Sequence, residues 1–265
     1  MSTLNICVLI KAVYDPDRLV IGSDSKVDLD KTPKKINDPD RNAVEAALQI
    51  KEKFGGYVCG LTLGTDKSVL YEPIAMGLDN AYFILIDSYV LNINGYIKAR
   101  ILASAINKIE SEIKRHFDLI ILGEASLNNY SMQTGPRLSI ELNRPFISRV
   151  SKILDINVNN RVISVMKDGT LNKIIYEARM PLIMSVTREI NIPRYAPLLK
   201  IKRAMSFPIK QFTLADLGLN DIFKQSTISI TSIQPMIIRR KGIVKPYSED
   251  TIRELIEFLR GEGVL

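Results

Sequence analysis

The sequence predicts an α/β fold built on a doubly wound, mostly parallel sheet. Three observations carry this: short continuous apolar runs, amphipathic helical patterns between them, and a change of period after Pro145. Buried parallel strands read as unbroken runs of branched residues because helices cover both of their faces. Strand patterns that alternate with helical ones are those of a sheet flanked on both sides.

The first strand pattern is Leu4 to Ile10. In the helix that follows, Asp38 suits the N-cap and Pro39 the first helical position, while Ala43, Val44, Ala47, Leu48 and Phe54 share one face. Tyr57 to Leu63 is the second strand, and a helix from Asp66 to Met76 carries Pro73. That proline removes a helical hydrogen bond and predicts a kink or an early stop. Ala81 to Ile86 is the third strand, followed by a long helix marked by Ile97, Ile101, Leu102, Ala105, Ile109 and Ile113. It ends at Lys114-Arg115-His116, where the helix dipole favours cations. Phe117 to Leu122 is the fourth strand, and Arg137 to Asn143 reads as a helix opened by Pro136.

After Pro145, Ser151 to Asp155, Arg161 to Met166 and Lys173 to Ala178 alternate or run short, with Asn159-Asn160 and Asp168-Gly169 as turn signals. These predict an antiparallel meander added to the sheet, and Leu182 to Val186 is a last apolar strand. From Arg188 onward, prolines at 193, 197, 208, 235 and 246 break the chain until a final helix from Ser248 to Arg260, with Ser248 as N-cap. The expected division is an α/β domain over residues 1–189 and an extended C-terminal arm over 190–265.

Composition narrows the function classes. Hydrophobic content of 46% with 25% charged residues is globular, and no apolar run approaches the roughly 18 to 20 residues of a membrane helix. Met1 to Asn5 enters a strand pattern at once, with neither a basic-then-apolar leader nor an Arg-rich transit segment, so a cytoplasmic location is expected. Cys7 and Cys59 sit inside strand patterns and read as buried reduced thiols. His116, the only histidine, suits a helix C-terminus, so nucleophile-base catalysis would rest on one poorly placed residue.

The stretch Gly123 to Pro136 (GEASLNNYSMQTGP) joins a buried strand to a helix. A strand ending in Gly, then hydroxyl and amide residues, then a helix start presents free N–H groups and a positive dipole end to an anion. An ordinary polar loop capping a helix fits the same pattern, since no glycine-rich fingerprint is present. The net charge of +7 is concentrated in the arm: residues 188 to 265 hold 13 Lys and Arg against 8 Asp and Glu. Between Ile190 and Ala215 there are five basic residues, Arg194, Lys200, Lys202, Arg203 and Lys210, and no acidic one. Interleaved Pro, Leu, Ile and Phe favour a protein partner over nucleic acid, because no nucleic-acid module surrounds them; a solvated basic loop is the third reading.

Several separated motifs resemble the beta subunit of electron-transfer flavoproteins. They are Val8 to Val13 (VLIKAV), Ile36 to Asp40 (INDPD) followed by Ala43 to Ala47 (AVEAA), Ala75 to Asp79 (AMGLD), Asp118 to Gly123 (DLIILG) with Gln133 to Pro136 (QTGP), and Asn191 to Ala196 (NIPRYA). The resemblance implies an adenine-nucleotide α-hydrolase-like fold. It also implies a heterodimer with a larger alpha subunit that holds most of an FAD, with dehydrogenases as electron donors and a quinone oxidoreductase or ferredoxin as acceptor. The chain would then be an electron-carrier subunit, with AMP or a second FAD in its own site.

Matched residue by residue, that site comprises Leu9; Asn37, Asp38, Pro39 and Asp40; Leu63; and Gly123, Glu124, Ala125, Ser126, Leu127, Asn128, Asn129, Tyr130, Ser131, Met132, Gln133 and Thr134. Asn37 would bond the adenine edge, and Ser126, Asn128, Gln133 and Thr134 the ribose and phosphate. The resemblance also makes Pro193 to Ala204 a loop that docks dehydrogenases, with Leu198 as anchor inside a basic rim of Arg194, Lys200, Lys202 and Arg203. Bifurcating members read Asp-Gly-Asp-Thr before the Gln, whereas this chain has Asn128 to Met132 (NNYSM), which follows neither that template nor the acidic one of AMP-binding members. Met166 stands where the family often has Arg. An ATP-using enzyme of the same fold would want a glycine-rich first loop, and the sequence offers Lys11 without one; a nucleotide-sensing domain would leave the basic arm without a purpose.

Overall fold

The computed structural model describes residues 3–22, 26–86, 95–169, 171–222 and 242–265. Among these residues, nine strands form one sheet. In chain order these are β1 (Leu4–Ile10), β4 (Gly56–Gly64), β5 (Asn80–Leu85), β6 (Leu119–Gly123), β7 (Phe146–Asn157), β8 (Val162–Asp168), β9 (Lys173–Arg179), β10 (Leu182–Val186) and β11 (Lys210–Phe212), and they lie side by side in the order β11-β5-β4-β1-β6-β10-β7-β8-β9. Pairing is parallel from β11 through β7, and β7, β8 and β9 form the antiparallel meander. A small hairpin of β2 (Ala12–Tyr14) and β3 (Lys34–Ile36) stands apart from this sheet.

The two-residue period of β1 shows why the fold is doubly wound. Leu4, Ile6, Val8 and Ile10 enter one core with Val44, Ala47 and Leu48 of helix α1 (Asp38–Phe54), while Cys7 and Leu9 enter the other with Ile101, Ala105 and Ile109 of α3 (Gly95–Ile113). Both faces of the strand are therefore buried, and the sequence has no polar residue to place after Asn5. Cys7 pairs in register with Cys59, and both are free thiols in the interior. His116 follows α3 and meets Glu110, with Nδ1 3.0 Å from Oε2.

Several boundaries differ from the sequence expectation, among them β7, which begins at Phe146 instead of Ser151, and α3, which ends at Ile113. The N-cap of α1 is Asn37, with Asp38 as the first helical residue, because the Asp38 carboxylate turns to Arg41 at 2.6 Å and leaves the helix amides alone. The helix expected over 66–76 is a 3-10 turn, Ser68–Leu70, followed by α2 (Tyr71–Met76). Pro73 thus falls in the first turn of α2, where its missing N–H has no helical partner to lose, and delays the helix instead of kinking it. By the same logic α4 spans Thr134–Leu142 and contains Pro136 in its opening turn, ending at Asn143 in the left-handed region with φ 50°.

The chain divides into two compact units, 1–233 and 234–265. Within the first, the described residues 188–222 carry more regular structure than their prolines suggested: α5 (Leu198–Ala204) packs on α2, and β11 extends the sheet beside β5. The second unit holds α6 (Glu249–Gly261), capped by Ser248, whose Oγ accepts from Thr251 N at 3.1 Å. Pro235 lies outside the described residues. Among those described, no helix is long and apolar enough to cross a membrane.

Candidate functional site

The chain leaves β1 for β4 on one side and returns to place β6 on the other, so the connections diverge at the C-terminal end of β1. In open α/β sheets such a divergence leaves a crevice that receives ligands. Here a cleft of about 590 Å³ opens beyond β4, β1, β6 and β10. Leu9, Leu61, Leu63 and Leu122 give it apolar surface; Lys11, Asn37 and Asp40 line it from β1 and α1; Tyr96, Lys98 and Leu102 line it from α3; Gln133, Thr134 and Arg137 line it from the start of α4.

Asp40 organises the floor. Its Oδ2 accepts from Lys11 N at 2.8 Å, and its Oδ1 accepts from Gly123 N at 3.1 Å and Asn37 Nδ2 at 3.0 Å. One carboxylate thus ties the ends of β1 and β6 to the first turn of α1. Every partner is a donor, which is the pattern of an ionised group, while burial pulls the other way and raises its pKa to about 7. Gly123 is required here: a Cβ would stand 2.4 Å from Asp40 Oδ1 and 2.8 Å from the Pro39 carbonyl carbon.

The cleft is cationic. Burial lowers the Lys11 pKa to about 8, assisted by repulsion from Lys98 and opposed by Asp40. Burial also lowers that of Lys98. Lys11 Nζ donates to Ser126 Oγ at 2.8 Å, and Ser126 donates to Asn129 Oδ1 at 2.8 Å. The one carboxylate on the loop wall, Glu124, is engaged by Arg149 Nε at 3.1 Å. At the start of α4, Arg137 Nε donates to Gln133 Oε1 at 3.2 Å, and the Thr134 and Gly135 amides have no intrahelical acceptor.

The structure gathers most of the residues expected from the sequence. Leu9, Asn37, Asp40, Leu63, Gly123, Glu124, Ala125, Ser126, Asn129, Ser131, Met132, Gln133 and Thr134 all line the cleft. Asp38, Pro39, Leu127, Asn128 and Tyr130 do not. Asp38 pairs with Arg41, and Pro39 packs beneath Gly123. Leu127 contributes its backbone N–H to Asn37 Oδ1 at 3.1 Å, and the Asn128 and Tyr130 side chains are exposed. Both amide hydrogens of Asn37 are engaged, by Asp40 and by Ala125 O at 2.9 Å, so toward a base it offers only a lone pair of Oδ1. Tyr130 and Met132 hold φ of 48° and 53°, left-handed conformations that cost about 1 kcal/mol each in a non-glycine residue.

Sequence reasoning missed Lys11, Lys98, Arg137, Tyr96 and Phe146 among the lining residues. Lys98 carried a usable signal: it lies four residues before Leu102 and three after Gly95, all on the cleft wall.

On the arm, the expected rim separates into two roles. Arg194 is drawn inward, with Nε 2.7 Å from Glu45 Oε2 and one terminal nitrogen 2.6 Å from Glu52 Oε1. Burial pushes Glu45 up, and the Arg194 bonds outweigh it and hold the carboxyl below its ordinary range. Arg194 is thereby a clasp between the arm and α1, assisted by Asn42, whose Nδ2 donates to Asn191 O at 2.9 Å. Leu198, Lys200, Lys202 and Arg203 are exposed on α5, with Leu198 at 62%, while Ala204 faces the core.

Residues 25–217 match the model of a family described as "Electron transfer flavoprotein domain". The chain is 28% identical over 265 residues to the "Electron transfer flavoprotein subunit beta" of Bacillus subtilis (strain 168), covering 98% of this chain and 99% of that one. It is 28% identical over 271 residues to the protein of the same description from Thermoanaerobacterium thermosaccharolyticum, at 99% and 100% coverage. A third, from Clostridium acetobutylicum, is 26% identical over 82% of this chain and 81% of its own length.

Proposed function

The chain belongs to the electron transfer flavoprotein domain family, and we propose that it serves as the beta subunit of a heterodimeric electron carrier and holds an adenine nucleotide in the cleft beyond β1 and β6. The observation that carries the second part is the cleft itself: apolar leucines to cover a base, and Lys11, Lys98, Arg137 and the α4 amides to meet phosphate. Its volume of about 590 Å³ is in the range of small-ligand sites. The residues present fit either AMP or the adenine end of a second FAD.

In this reading an FAD held mainly by the alpha subunit would supply the redox chemistry, with dehydrogenases as donors and a quinone oxidoreductase or ferredoxin as acceptor. This chain binds, orients and presents. Asp40 and Asn37 fix the loop at Gly123 to Leu127, Lys11 and Ser126 face the phosphate side, and the leucines exclude water from the base. The partner-facing part includes Pro193 to Ala204. Leu198 is its anchor, with Lys200, Lys202 and Arg203 speeding encounter.

Nucleotide content of the purified heterodimer tests this. After denaturation and chromatography, one FAD plus one AMP identifies a simple carrier, and two FAD with no AMP the bifurcating type. One FAD and no further adenine nucleotide removes the site from this chain.

A further inference from the structure

Helix α1 is shared by the cleft and the docking segment. Asn37 stands at its N-cap without making a cap bond, because its side chain is committed to the cleft. Its Nδ2 donates to Ala125 O at 2.9 Å and to Asp40 Oδ1 at 3.0 Å, and its Oδ1 accepts from Leu127 N at 3.1 Å. Asp40 Oδ1 also accepts from Gly123 N at 3.1 Å. The first turn of α1 is therefore held by the loop at Gly123 to Leu127 instead of by a cap of its own.

The middle of the same helix grips the chain that leads to Leu198. Asn42 Nδ2 donates to Asn191 O at 2.9 Å, and Asn42 O accepts from Asn191 Nδ2 at 3.0 Å. Glu45 Oε2 accepts from Arg194 N at 3.1 Å and from Arg194 Nε at 2.7 Å, and Glu52 takes one terminal nitrogen of the same guanidinium. Asn42 and Glu45 are both buried. Residues 191–197 form neither helix nor strand, so their order rests on these bonds and on Ala196 in the core. Asp40 and Glu45 lie about 7.5 Å apart along the helix axis. Whatever fixes the loop at Gly123 to Leu127 also fixes the first turn of α1, and with it the acceptors that Asn191 and Arg194 need.

We propose that nucleotide in the cleft closes the Arg194 clasp on α1 and so preorganises Pro193 to Ala204 for docking. The two states are the segment clasped and the segment released, and nucleotide binds better to the first. A surface already ordered binds its partner without the cost of ordering. The proposal rests on the proposed adenine site and docking segment and adds the link between them.

The test is amide hydrogen exchange of the complex with its alpha subunit, stripped of nucleotide from the beta site and then saturated with AMP or with FAD. The nucleotide that binds should slow exchange in peptides covering Asn191 to Ala204 at least about fivefold, although none of these residues lines the cleft. Exchange in β9, at the far edge of the sheet, should not change. Arg194→Gln should abolish the slowing and weaken nucleotide binding by the same factor, because coupling is reciprocal. Arg194→Lys keeps one charged bond to Glu45 and should recover part of both. Glu52→Gln, at the exposed end of the clasp, should give intermediate values, and unchanged β9 exchange in each variant separates an open clasp from lost folding. Leu198→Ala, whose side chain lies outside the clasp, should leave the slowing intact, so the docking role of the segment is tested apart from the link. Nucleotide bound with no change in these peptides, or variants that keep full nucleotide affinity, overturns the coupling and leaves both sites standing. Binding of neither nucleotide overturns the adenine site and the coupling with it.

Discussion

Replacing Asp40 with asparagine isolates the electrostatic cost of building the cleft floor. The carboxyl has an ordinary pKa of 3.8 and a folded value of about 7, raised by burial against three hydrogen bonds. Because the folded value lies above the unfolded one, the folded protein retains a proton over that interval which the unfolded chain has lost. The stabilising effect is present in full below pH 3.8 and is lost as pH rises through about 7. At about 1.4 kcal/mol per pH unit, the interval integrates to a loss of about 4 kcal/mol. In Asp40→Asn the slope disappears. A constant penalty of about 1 to 3 kcal/mol takes its place, because the Lys11 N–H then faces an amide that donates. Urea unfolding of the nucleotide-free protein from pH 4.5 to 8 reads both effects. The variant should be the less stable at pH 4.5, and the gap should close or reverse by pH 7.5. Parallel pH profiles for the two proteins would refute the reasoning.

Lys11 carries the opposite sign: its folded value of about 8 lies below the ordinary 10.5, so nucleotide-free stability should rise between pH 8 and 10.5 by about 3 kcal/mol, and Lys11→Met should flatten that limb in the same unfolding series. Gly123→Ala forces a Cβ against Asp40 and the Pro39 backbone, so we expect a loss of about 1 to 3 kcal/mol and a fall in bound nucleotide, read by thermal unfolding and chromatography. Arg194→Ala leaves the buried Glu45 carboxylate without its main partner; we expect about 2 kcal/mol of destabilisation and faster proteolysis of the segment from Asn191 to Ala204. Leu198→Ala should change stability by less than about 0.5 kcal/mol, since the side chain is 62% exposed, while slowing dehydrogenase-dependent flavin reduction; an unchanged reduction rate would remove Leu198 as the docking anchor.

The parts of the fold legible in the sequence are those where burial acts on long stretches. β1, β4 and β6 are buried on both faces, so composition alone marks them, and α1 and α3 span enough turns for their apolar faces to repeat. Short elements gave no such statistics: β2, β3 and β11 have three residues each, and Lys34-Lys35 and Lys210-Gln211 look like loop until a neighbouring strand pairs with them. Proline misled in both directions. At Pro73 and Pro136 it reads as an obstacle or a boundary, yet each lies inside a first turn.

The site divides in the same way. Gly123 to Thr134 was visible because strand, loop and helix are contiguous, and Asn37 to Asp40 because of a recurring family motif. Lys98 and Arg137 reach the cleft from separate helices; Lys98 shares a helix face with Gly95 and Leu102, but only the fold shows that this face lines the cleft. Arg194 shows the converse. Its setting reads as a docking surface, and only the fold brings Glu45 and Glu52 against it.

The most direct measurement is the adenine-nucleotide content of the purified heterodimer, with and without Gly123→Ala in this chain. The account predicts two adenine nucleotides per heterodimer, of which the variant loses the one held beyond β1 and β6 while keeping the FAD of the alpha subunit. A heterodimer that releases a single FAD and no second adenine nucleotide, in both forms, would contradict it.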